Sequence, residues 1–303
     1  MIRNAVIAIA LSAIAGQSLT TPRPPDARPP ANLIQLKADI NALIASSGAE
    51  VAVAWRPLDA KPGEEILINP TLRFHAASTM KVPVMIELFR QVDFRRLKLD
   101  DKVVVTNQFT SIEDGSPFVL AVTDDSDGEI YKALGTKLSY RQLVEASITV
   151  SSNLATNILI ERLRARNIQA TVDTMGASGM QVLRGVEDQK AFDAGKNNTT
   201  DALGLLALFE ALGKGKAVSA TASAEMIEIL KRQKFNNRIP AGLPAGTVVA
   251  HKTGEITGIC HDAGIVYTAR PYVLVVLTRG IKDTAVSAKL IADITGVIAR
   301  ATS

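Results

Sequence analysis

The sequence contains little of three residue types that mark particular classes of protein. Its 303 residues include a single cysteine, Cys260, which rules out a disulfide within the chain. Aromatic residues make up 4%, and no run of Lys and Arg is longer than a pair, so the net charge of +4 does not indicate a nucleic-acid-binding surface. The three histidines, His75, His251 and His261, are too scattered to supply the three or four ligands of a metal site. We therefore predict neither a metal nor another cofactor.

The N-terminus has the features of an export signal followed by a tether. Residues 1–15 contain Arg3, continue as a short apolar run and end in Ala13-Ile14-Ala15, a small-residue cleavage pattern. The run is too short to span a bilayer. The alternative to a cleaved export signal is an uncleaved N-terminal anchor or a buried strand. Residues 16–32 are rich in proline, and no cysteine follows the apolar run to carry a lipid. We predict an exported protein of a bacterial envelope, periplasmic or secreted, without stable membrane insertion.

Residues 33–303 contain enough apolar sequence for one large domain, since 47% of the chain is hydrophobic and 21% is charged. Strand patterns and a helix occur near each end of this region, at 33–73 and 246–303, whereas 74–245 is mostly helical with long loops. This order predicts an α+β fold, an α/β sandwich whose antiparallel sheet of about five strands comes from both chain ends. Terminal helices would flank the sheet, beside an all-helical subdomain. The groove between the two parts is the default functional site.

The individual elements follow from hydrophobic periodicity. Strands are predicted over residues 50–55, 65–69, 247–252, 263–268 and 272–278. Helices are predicted over residues 33–46, 140–151, 153–166, 200–212, 222–231 and 284–300. Residues 123–128 are acidic but lack the glutamate of a calcium-binding loop, so a solvated turn is predicted there.

Ser78 and Lys81 form the only Ser-x-x-Lys in the sequence. If a helix starts at Ser78, the three-residue spacing places the hydroxyl and the amine on one face. The lysine can then act as the base that a serine nucleophile requires, provided that burial or a nearby cation lowers its pKa. The residues that follow predict an amphipathic helix with Glu87 on its polar face. Alone, the pair is more typical of a helix cap and a surface charge.

Two further motifs change that interpretation. Ser151-Ser152-Asn153 lies at a polar break between two helical patterns, and Lys252-Thr253-Gly254 ends a strand pattern. A second lysine near the serine disfavours the charged form of Lys81. With the three motifs in this order, the chain resembles the penicillin-recognising serine hydrolases, and most closely the class A β-lactamases, for which the same set is known. The resemblance extends from about Leu33 to the C-terminus.

The resemblance implies a role for each motif residue. Ser78 would be the nucleophile that a β-lactam acylates, Lys81 would take or relay its proton, and Ser151 would pass a proton to the leaving nitrogen. The backbone N–H groups of Ser78 and Glu255 would form the oxyanion hole, because charge develops on the carbonyl oxygen only in the transition state. The implied substrate-binding residues are Asn153 for a side-chain amide, Lys252 and Thr253 for the carboxylate, and Gly254 for close approach of the substrate to the strand.

The chain departs from the class A pattern at two places. Ser152 stands where the family has a supporting aspartate. The family's deacylation glutamate lies within Arg-x-Glu-x-x-x-Asn, whereas in the loop of residues 183–201 the glutamate comes one position later and the loop asparagine is missing. Glu187 is the predicted base and Asp188 the second candidate. The alternative is that both are ordinary loop acids that pair with Arg184.

Two residues near the motifs are weaker candidates for the site. Arg279 ends the last predicted strand, where it would either assist carboxylate binding or be a surface charge. Cys260 is predicted to be a small buried hydrophobe rather than a nucleophile.

Three functions are compatible with these motifs. The first is a serine β-lactamase, and the second is a penicillin-binding D,D-peptidase-like cell-wall hydrolase that releases β-lactams slowly. The third is a binding or sensor module that stays acylated. The expected partner is a small molecule, a β-lactam or a peptidoglycan-like substrate, and we expect a monomer.

Overall fold

The computed structural model describes residues 31–302, with only the backbone at residue 31. The predicted signal at residues 1–15 and most of the proline-rich segment lie outside the described residues. In the described range, every helix is too short or too polar to cross a membrane.

Between residues 31 and 302 the chain forms nine α-helices, eleven strands and four short 3-10 turns. The helices are α1 (Ala31–Ser47), α2 (Lys81–Asp93), α3 (Tyr140–Thr149), α4 (Asn153–Leu163), α5 (Ala165–Thr174), α6 (Gln189–Asp193), α7 (Ala202–Gly213), α8 (Ala220–Lys231) and α9 (Thr284–Thr302). The strands are β1 (Glu50–Pro57), β2 (Ile66–Ile68), β3 (Phe74–His75), β4 (Lys102–Val104), β5 (Phe109–Thr110), β6 (Pro117–Phe118), β7 (Lys137–Ser139), β8 (Thr199–Thr200), β9 (Val248–Ile256), β10 (Ile259–Tyr267) and β11 (Tyr272–Arg279).

The main sheet has five antiparallel strands in the order β2-β1-β11-β10-β9. β1 and β11 pair along their whole length, from Glu50 opposite Arg279 to Pro57 opposite Tyr272. The two ends of the chain therefore meet at the centre of the sheet, which confirms the predicted architecture. All five predicted strands are present, and their ends differ from the predicted ones by at most four residues.

Both faces of the sheet are covered, because successive side chains of the long strands point to opposite faces and are nevertheless buried. Val51 and Val53 of β1 pack with apolar residues of α1 and α9 in one core. Ala52 and Ala54, which point the other way, join a larger core that includes α2, α4 and α7. α7 lies within the predicted helical part but packs on β1, β10 and β11, so it forms the second outer layer of the sandwich.

The middle of the chain differs from the prediction of an all-helical subdomain. It contains three two-stranded ladders, β3-β8, β4-β7 and β5-β6, in addition to its helices. The single helix predicted over 153–166 is interrupted at Arg164, whose φ of 69° lies in the left-handed region, and α5 begins afresh at Ala165. The ladders are only two or three residues long, too short for a period-2 pattern to show in the sequence.

Glu87 was predicted to lie on the polar face of α2, but this face is not exposed to solvent at Glu87. Its side chain is fully buried, because α5 packs against that face. The carboxylate accepts hydrogen bonds from Arg90 Nε at 2.6 Å, Gln91 Nε2 at 2.7 Å and Thr171 Oγ1 at 2.6 Å. A buried charge is tolerable only when it is satisfied in this way, so Glu87 is part of the core that holds α2 and the residues before it.

Candidate active site

Ser78 lies in a 3-10 turn, Ala77–Met80, and α2 begins only at Lys81. The expectation of an α-helix starting at Ser78 is therefore wrong by three residues. Ala77 has a φ of 45°, an uncommon conformation for a residue with a side chain, and its N–H donates to His75 Nδ1 at 3.0 Å. The Thr79 hydroxyl donates to the Ala76 carbonyl at 2.6 Å. These local bonds hold the turn in a conformation that helix propensity alone does not predict.

Strand β9 packs directly against this turn, and Gly254 makes the contact possible. A Cβ on Gly254 would lie 3.2 Å from the backbone nitrogens of both Ser78 and Thr79. The resemblance implied that this glycine leaves room for a substrate, but its open side faces the Ser78 turn instead. The glycine therefore sets the distance between Ser78 and the sheet edge that carries Lys252 and Thr253.

The Lys81 side chain is fully buried and points to the second motif. Its Nζ donates to the Ser151 carbonyl at 2.6 Å, to Asn153 Oδ1 at 2.8 Å and to Ser151 Oγ at 3.2 Å. Burial lowers the pKa of Lys81 to about 7, although the charges of Asp125 and Glu187 oppose the shift. A substantial neutral fraction is therefore present near neutral pH. Within residues 31–302, the Ser78 hydroxyl is not among the hydrogen-bond partners of this amine.

Ser151 connects the two lysines of the motifs. Its Oγ accepts from Lys81 Nζ at 3.2 Å and from Lys252 Nζ at 3.0 Å, and its backbone has a φ of 59°. Lys252 is also fully buried, and burial, followed by the charges of Lys81 and Arg238, lowers its pKa. A hydroxyl that contacts two amines of lowered pKa is well placed to pass a proton between them and a third group.

Ser152 is the N-cap residue of α4. Ser152 Oγ accepts from the Ala155 N–H at 3.2 Å at the start of α4. The carboxylate at this helix start comes instead from Asp125, whose two oxygens accept from the Asn153 and Leu154 N–H groups at 2.9 and 2.8 Å. Residues 123–128 are thus not merely the solvated turn that the sequence predicted, since Asp125 fixes the residue that contacts Lys81.

Replacement of Asp125 by alanine is expected to weaken this helix start. Loss of a capping carboxylate costs about 1 kcal/mol, which corresponds to a fall in melting temperature of roughly 2–4 °C for a chain of this size. Thermal unfolding followed by circular dichroism measures the effect. Asp127→Ala serves as a control, because Asp127 accepts only a local bond from Glu129. Equal melting temperatures for both variants would contradict the capping role.

Glu187 and Asp188 are adjacent in sequence but differ in their surroundings. Glu187 has an exposed side chain and a φ of 60°, and Asn153 Nδ2 donates to its Oε1 at 3.3 Å. Partial desolvation in the groove, followed by the negative charge of Asp124, raises the pKa of Glu187 above its usual value. The Asp188 carboxylate is fully engaged, because it accepts from Ser111 Oγ at 2.7 Å, Ile112 N at 2.9 Å and Ala191 N at 3.2 Å. These contacts anchor Asp188 to the structure and leave Glu187 facing the cavity.

The Arg184 guanidinium does not form the ion pairs considered as an alternative. It donates to the carbonyls of Lys196 and Gly185 and to Asn197 Oδ1, each at 2.9 Å. In the described part of the chain, it makes no salt bridge with Glu187 or Asp188. Its burial lowers its pKa, and its role is to hold the loop closed on itself.

Two asparagines that carry no motif signal position this loop. Asn157 of α4 accepts from the Val186 N–H at 2.7 Å and donates to the Val186 carbonyl at 2.9 Å. Asn198 bonds the backbone of Leu183 and Arg184. The side-chain amides bond backbone N–H and C=O groups of the loop, as a neighbouring strand would in a sheet. They therefore fix the backbone on the N-terminal side of Glu187. Sequence reasoning missed both residues, since Asn is common in loops and helices alike.

The Arg279 side chain serves the fold rather than the cavity. Its guanidinium pairs with the Glu50 carboxylate, donates to the Arg73 carbonyl at 2.8 Å and lies 5.0 Å from the centre of the Phe74 ring. Two cations that no sequence motif indicated, Arg238 and Lys282, do line the cavity. The Cys260 thiol is buried and its pKa is raised to about 11, in agreement with the predicted role of a small hydrophobe.

The groove extends on both sides of Ser78. On one side a cavity of about 400 Å³ is lined by Ser78, Asn153 and Glu187. On the other side a cavity of about 510 Å³ is lined by Ser78, Ser151 and Thr253, together with Arg238. Glu255 borders both cavities. The predicted site residues, which are spread over 178 positions from Ser78 to Glu255 (counted inclusively), are thus brought together around one serine.

Comparison with known proteins places this arrangement in a family. The model of the beta-lactamase enzyme family matches residues 35–302. The extended-spectrum beta-lactamase PER-1 of Pseudomonas aeruginosa is 27% identical over 266 residues, which cover 84% of this chain and 82% of PER-1.

Two solved structures have the same fold. The structure of PBP-A is 25% identical with a TM-score of 0.75, and the match covers 91% of this chain and 98% of PBP-A. An ancestral (GNCA) class A beta-lactamase is also 25% identical with a TM-score of 0.76, and the match covers 88% of this chain and all of that one. The resemblance to class A β-lactamases that the three motifs predicted is confirmed. The chain belongs to the beta-lactamase enzyme family.

Proposed function

We propose that the protein is a serine β-lactamase, which opens the β-lactam amide through an acyl-enzyme on Ser78. One observation carries the proposal. Ser78 lines a groove together with Ser151, which contacts two lysines, and Glu187, and behind Ser151 lies the buried amine of Lys81, whose pKa is lowered. Nucleophilic catalysis by serine needs a base of this kind and a second route for the proton that reaches the leaving group.

Acylation involves Ser78, Lys81 and Ser151. Ser78 Oγ attacks the lactam carbonyl carbon while its proton passes to the neutral Lys81 amine. The C–N bond breaks, and the nitrogen receives a proton through the Ser151 hydroxyl, which is in contact with Lys81 Nζ at 3.2 Å. The backbone N–H groups of Ser78 and Glu255 stabilise the oxyanion, and such a donor typically contributes about 3 kcal/mol.

Deacylation uses the loop side of the groove. The Glu187 carboxylate accepts a proton from water, and the hydroxide attacks the ester carbonyl. The Ser78–carbonyl bond then breaks, and the Ser78 alkoxide receives the proton that Glu187 took from the water. The pKa of Glu187 lies above that of an ordinary glutamate because of partial desolvation, so the carboxylate is a stronger base than it would be in water.

Residues on opposite walls of the groove bind the substrate. Asn153 donates from Nδ2 toward the loop side, where the side-chain amide of the substrate would lie. Lys252 and Thr253 stand at the edge of β9, where they would hold the substrate carboxylate. Lys252 Nζ also donates to the Thr253 carbonyl at 2.9 Å, a contact between neighbouring residues in the middle of β9.

The lowered pKa of Lys81 leads to an expected pH dependence. Only the neutral amine accepts a proton, so the acylation rate should rise with pH and level off above about 7, and should fall about tenfold per pH unit well below that value. Stopped-flow acylation by a chromogenic cephalosporin between pH 5 and 9 measures this limb. Lys81→Arg, whose charge is fixed, is expected to acylate slowly without the rise. An acylation rate of the wild type that does not change from pH 5 to 9 would exclude Lys81 as the base.

A second candidate function is a penicillin-binding D,D-peptidase-like hydrolase, or a slowly deacylating β-lactam-binding protein. The likeness to PBP-A, with 25% identity over almost its whole length, favours it. The displaced glutamate in the loop of residues 183–201 supports it as well. Both candidates share acylation of Ser78 and differ in the rate at which the ester is released.

One experiment separates the candidates. Purified full-length protein is mixed with a chromogenic cephalosporin, and product and intact mass are followed together. Many turnovers per molecule with little adduct support the β-lactamase, whereas one turnover with a lasting adduct supports the second candidate. The absence of both product and adduct would refute the proposal.

We also propose that the protein is exported to the bacterial envelope and acts as a monomer without stable membrane insertion. The apolar run and small-residue pattern of residues 1–15 support export. Fractionation of expressing cells, together with the N-terminal sequence of the mature protein, tests export, and light scattering tests the monomer.

A further inference from the structure

Arg238 is a buried cation at the wall of the groove. Its side chain is 4% exposed, and one terminal nitrogen, Nη1, donates to the His261 carbonyl at 3.2 Å. The other terminal nitrogen forms an ion pair with the Glu255 carboxylate. In residues 31–302, the remaining nitrogen, Nε, has no hydrogen-bond partner. The Glu255 carboxylate therefore balances the positive charge of Arg238 at the wall of the groove.

Glu255 is the exposed member of this pair. Its side chain is 46% exposed, against 4% for Arg238, and it lies on β9 directly after the third motif. Both residues line the same cavity as Ser78 and Thr253. Glu255 is also the only acidic side chain among the described residues that line this cavity. The solvated carboxylate can leave the pair at a smaller cost than the buried guanidinium can.

A substrate carboxylate held at Thr253 enters the same space. Arg238 attracts this carboxylate and Glu255 repels it. The Arg238 guanidinium is already paired with the Glu255 carboxylate. Such a substrate must displace the Glu255 side chain into solvent or share Arg238 with it, so that two carboxylates face one guanidinium. A neutral analogue of the same shape does not compete for Arg238. The pair therefore sets the difference in affinity between an anionic substrate and its neutral analogue.

We propose that Glu255 is a specificity-determining residue, whose carboxylate competes with the substrate carboxylate for Arg238 and so weakens the binding of anionic substrates. This inference rests on the proposed function, since it concerns ligands of the same groove. It assigns to the Glu255 side chain a role separate from that of its backbone N–H.

Binding to an acylation-deficient protein tests the inference. In a Ser78→Ala background, calorimetry measures the Kd of benzylpenicillin and of its neutral methyl ester, with and without Glu255→Gln. Glutamine keeps an oxygen that accepts from Arg238 but carries no charge. We expect the ratio of the ester Kd to the acid Kd to increase about tenfold, as loss of one repulsive charge at a partly buried site predicts. Glu228→Gln, an exposed glutamate of α8 paired with Lys231, is the matched control and should leave that ratio where it was.

A second pair of variants keeps the test specific to Arg238. Adding Arg238→Gln to Glu255→Gln should abolish the gain in selectivity, and thermal unfolding shows whether the buried site still folds. Glu255→Asp retains a charge on a shorter side chain and tests the same competition without any change at Arg238, with selectivity expected between wild type and Glu255→Gln.

The outcomes separate this inference from the proposed function. An equal gain for acid and ester, an unchanged ratio, or no binding of either ligand by any variant would overturn the role of Glu255. Failure of the wild type to turn over or become acylated would refute the proposed function alone, because the binding ratio is measured without Ser78.

Discussion

Ser78→Ala is expected to abolish both the hydrolysis of a chromogenic cephalosporin and the covalent adduct. Removal of a serine nucleophile lowers kcat on the order of 10⁶-fold, because the rest of the site cannot form the acyl-enzyme. The Ser78 turn is held by its own backbone bonds and by β9 packed at Gly254, so loss of one hydroxyl should not unfold it. Initial rates and intact mass after incubation with benzylpenicillin measure both effects.

A matched variant excludes a general effect of changing a groove serine. Ser126 is exposed and lines the same cavity as Ser78, and Ser126→Ala should keep the adduct and retain activity within about threefold of wild type, the range of a surface substitution. If Ser78→Ala still forms an adduct of the same mass increase as the wild type does, the nucleophile is a different residue. The interpretation of Ser78 and Lys81 as nucleophile and base would then be wrong.

Glu187→Gln is expected to allow acylation but to stall release of the ester. Loss of a general base lowers the step that it serves by about 10²–10⁴-fold, so the acyl-enzyme should accumulate to nearly one equivalent. Because partial desolvation raises the pKa of Glu187, turnover by the wild type should decline on the acid side at a higher pH than an ordinary glutamate allows. Steady-state rates against pH, with the adduct followed by mass, measure both effects.

Asp188→Asn discriminates between the two acids of the loop. Its carboxylate bonds Ser111, Ile112 and Ala191, so this variant should lower the melting temperature while deacylation continues. If the adduct instead accumulates on Asp188→Asn and not on Glu187→Gln, the base is Asp188 and the assignment from the cavity is wrong.

Much of the sheet was predictable because its signals are local. Five short apolar runs with Gly and Pro between them specify five strands, and the structure pairs β1 with β11 as antiparallel neighbours. The motifs at Ser78, Ser151 and Lys252 were equally visible, since each depends on residues within a few positions of one another. Their meeting in one groove followed from the resemblance and not from periodicity.

The site residues that sequence reasoning missed have partners far away in the chain. Asp125 caps a helix 28 residues later, and Arg238 meets Glu255 across 17 residues. Glu87 is buried by a helix that contributes Thr171, 84 positions away. A carboxylate or guanidinium in a polar segment has the same local sequence whether it faces water or a buried partner, so no pattern distinguishes these cases.

The strands, most helices, the three motifs and the resemblance that they carry could be predicted from the amino-acid order, because hydrophobic periodicity and short spacings act over a few residues. Four features became visible only in the folded chain: the 3-10 turn at Ser78, the contact of both lysines with Ser151, the different surroundings of Glu187 and Asp188, and the pairing of Arg238 with Glu255. Each of these depends on which groups are desolvated together, and that is fixed only when distant segments pack against one another.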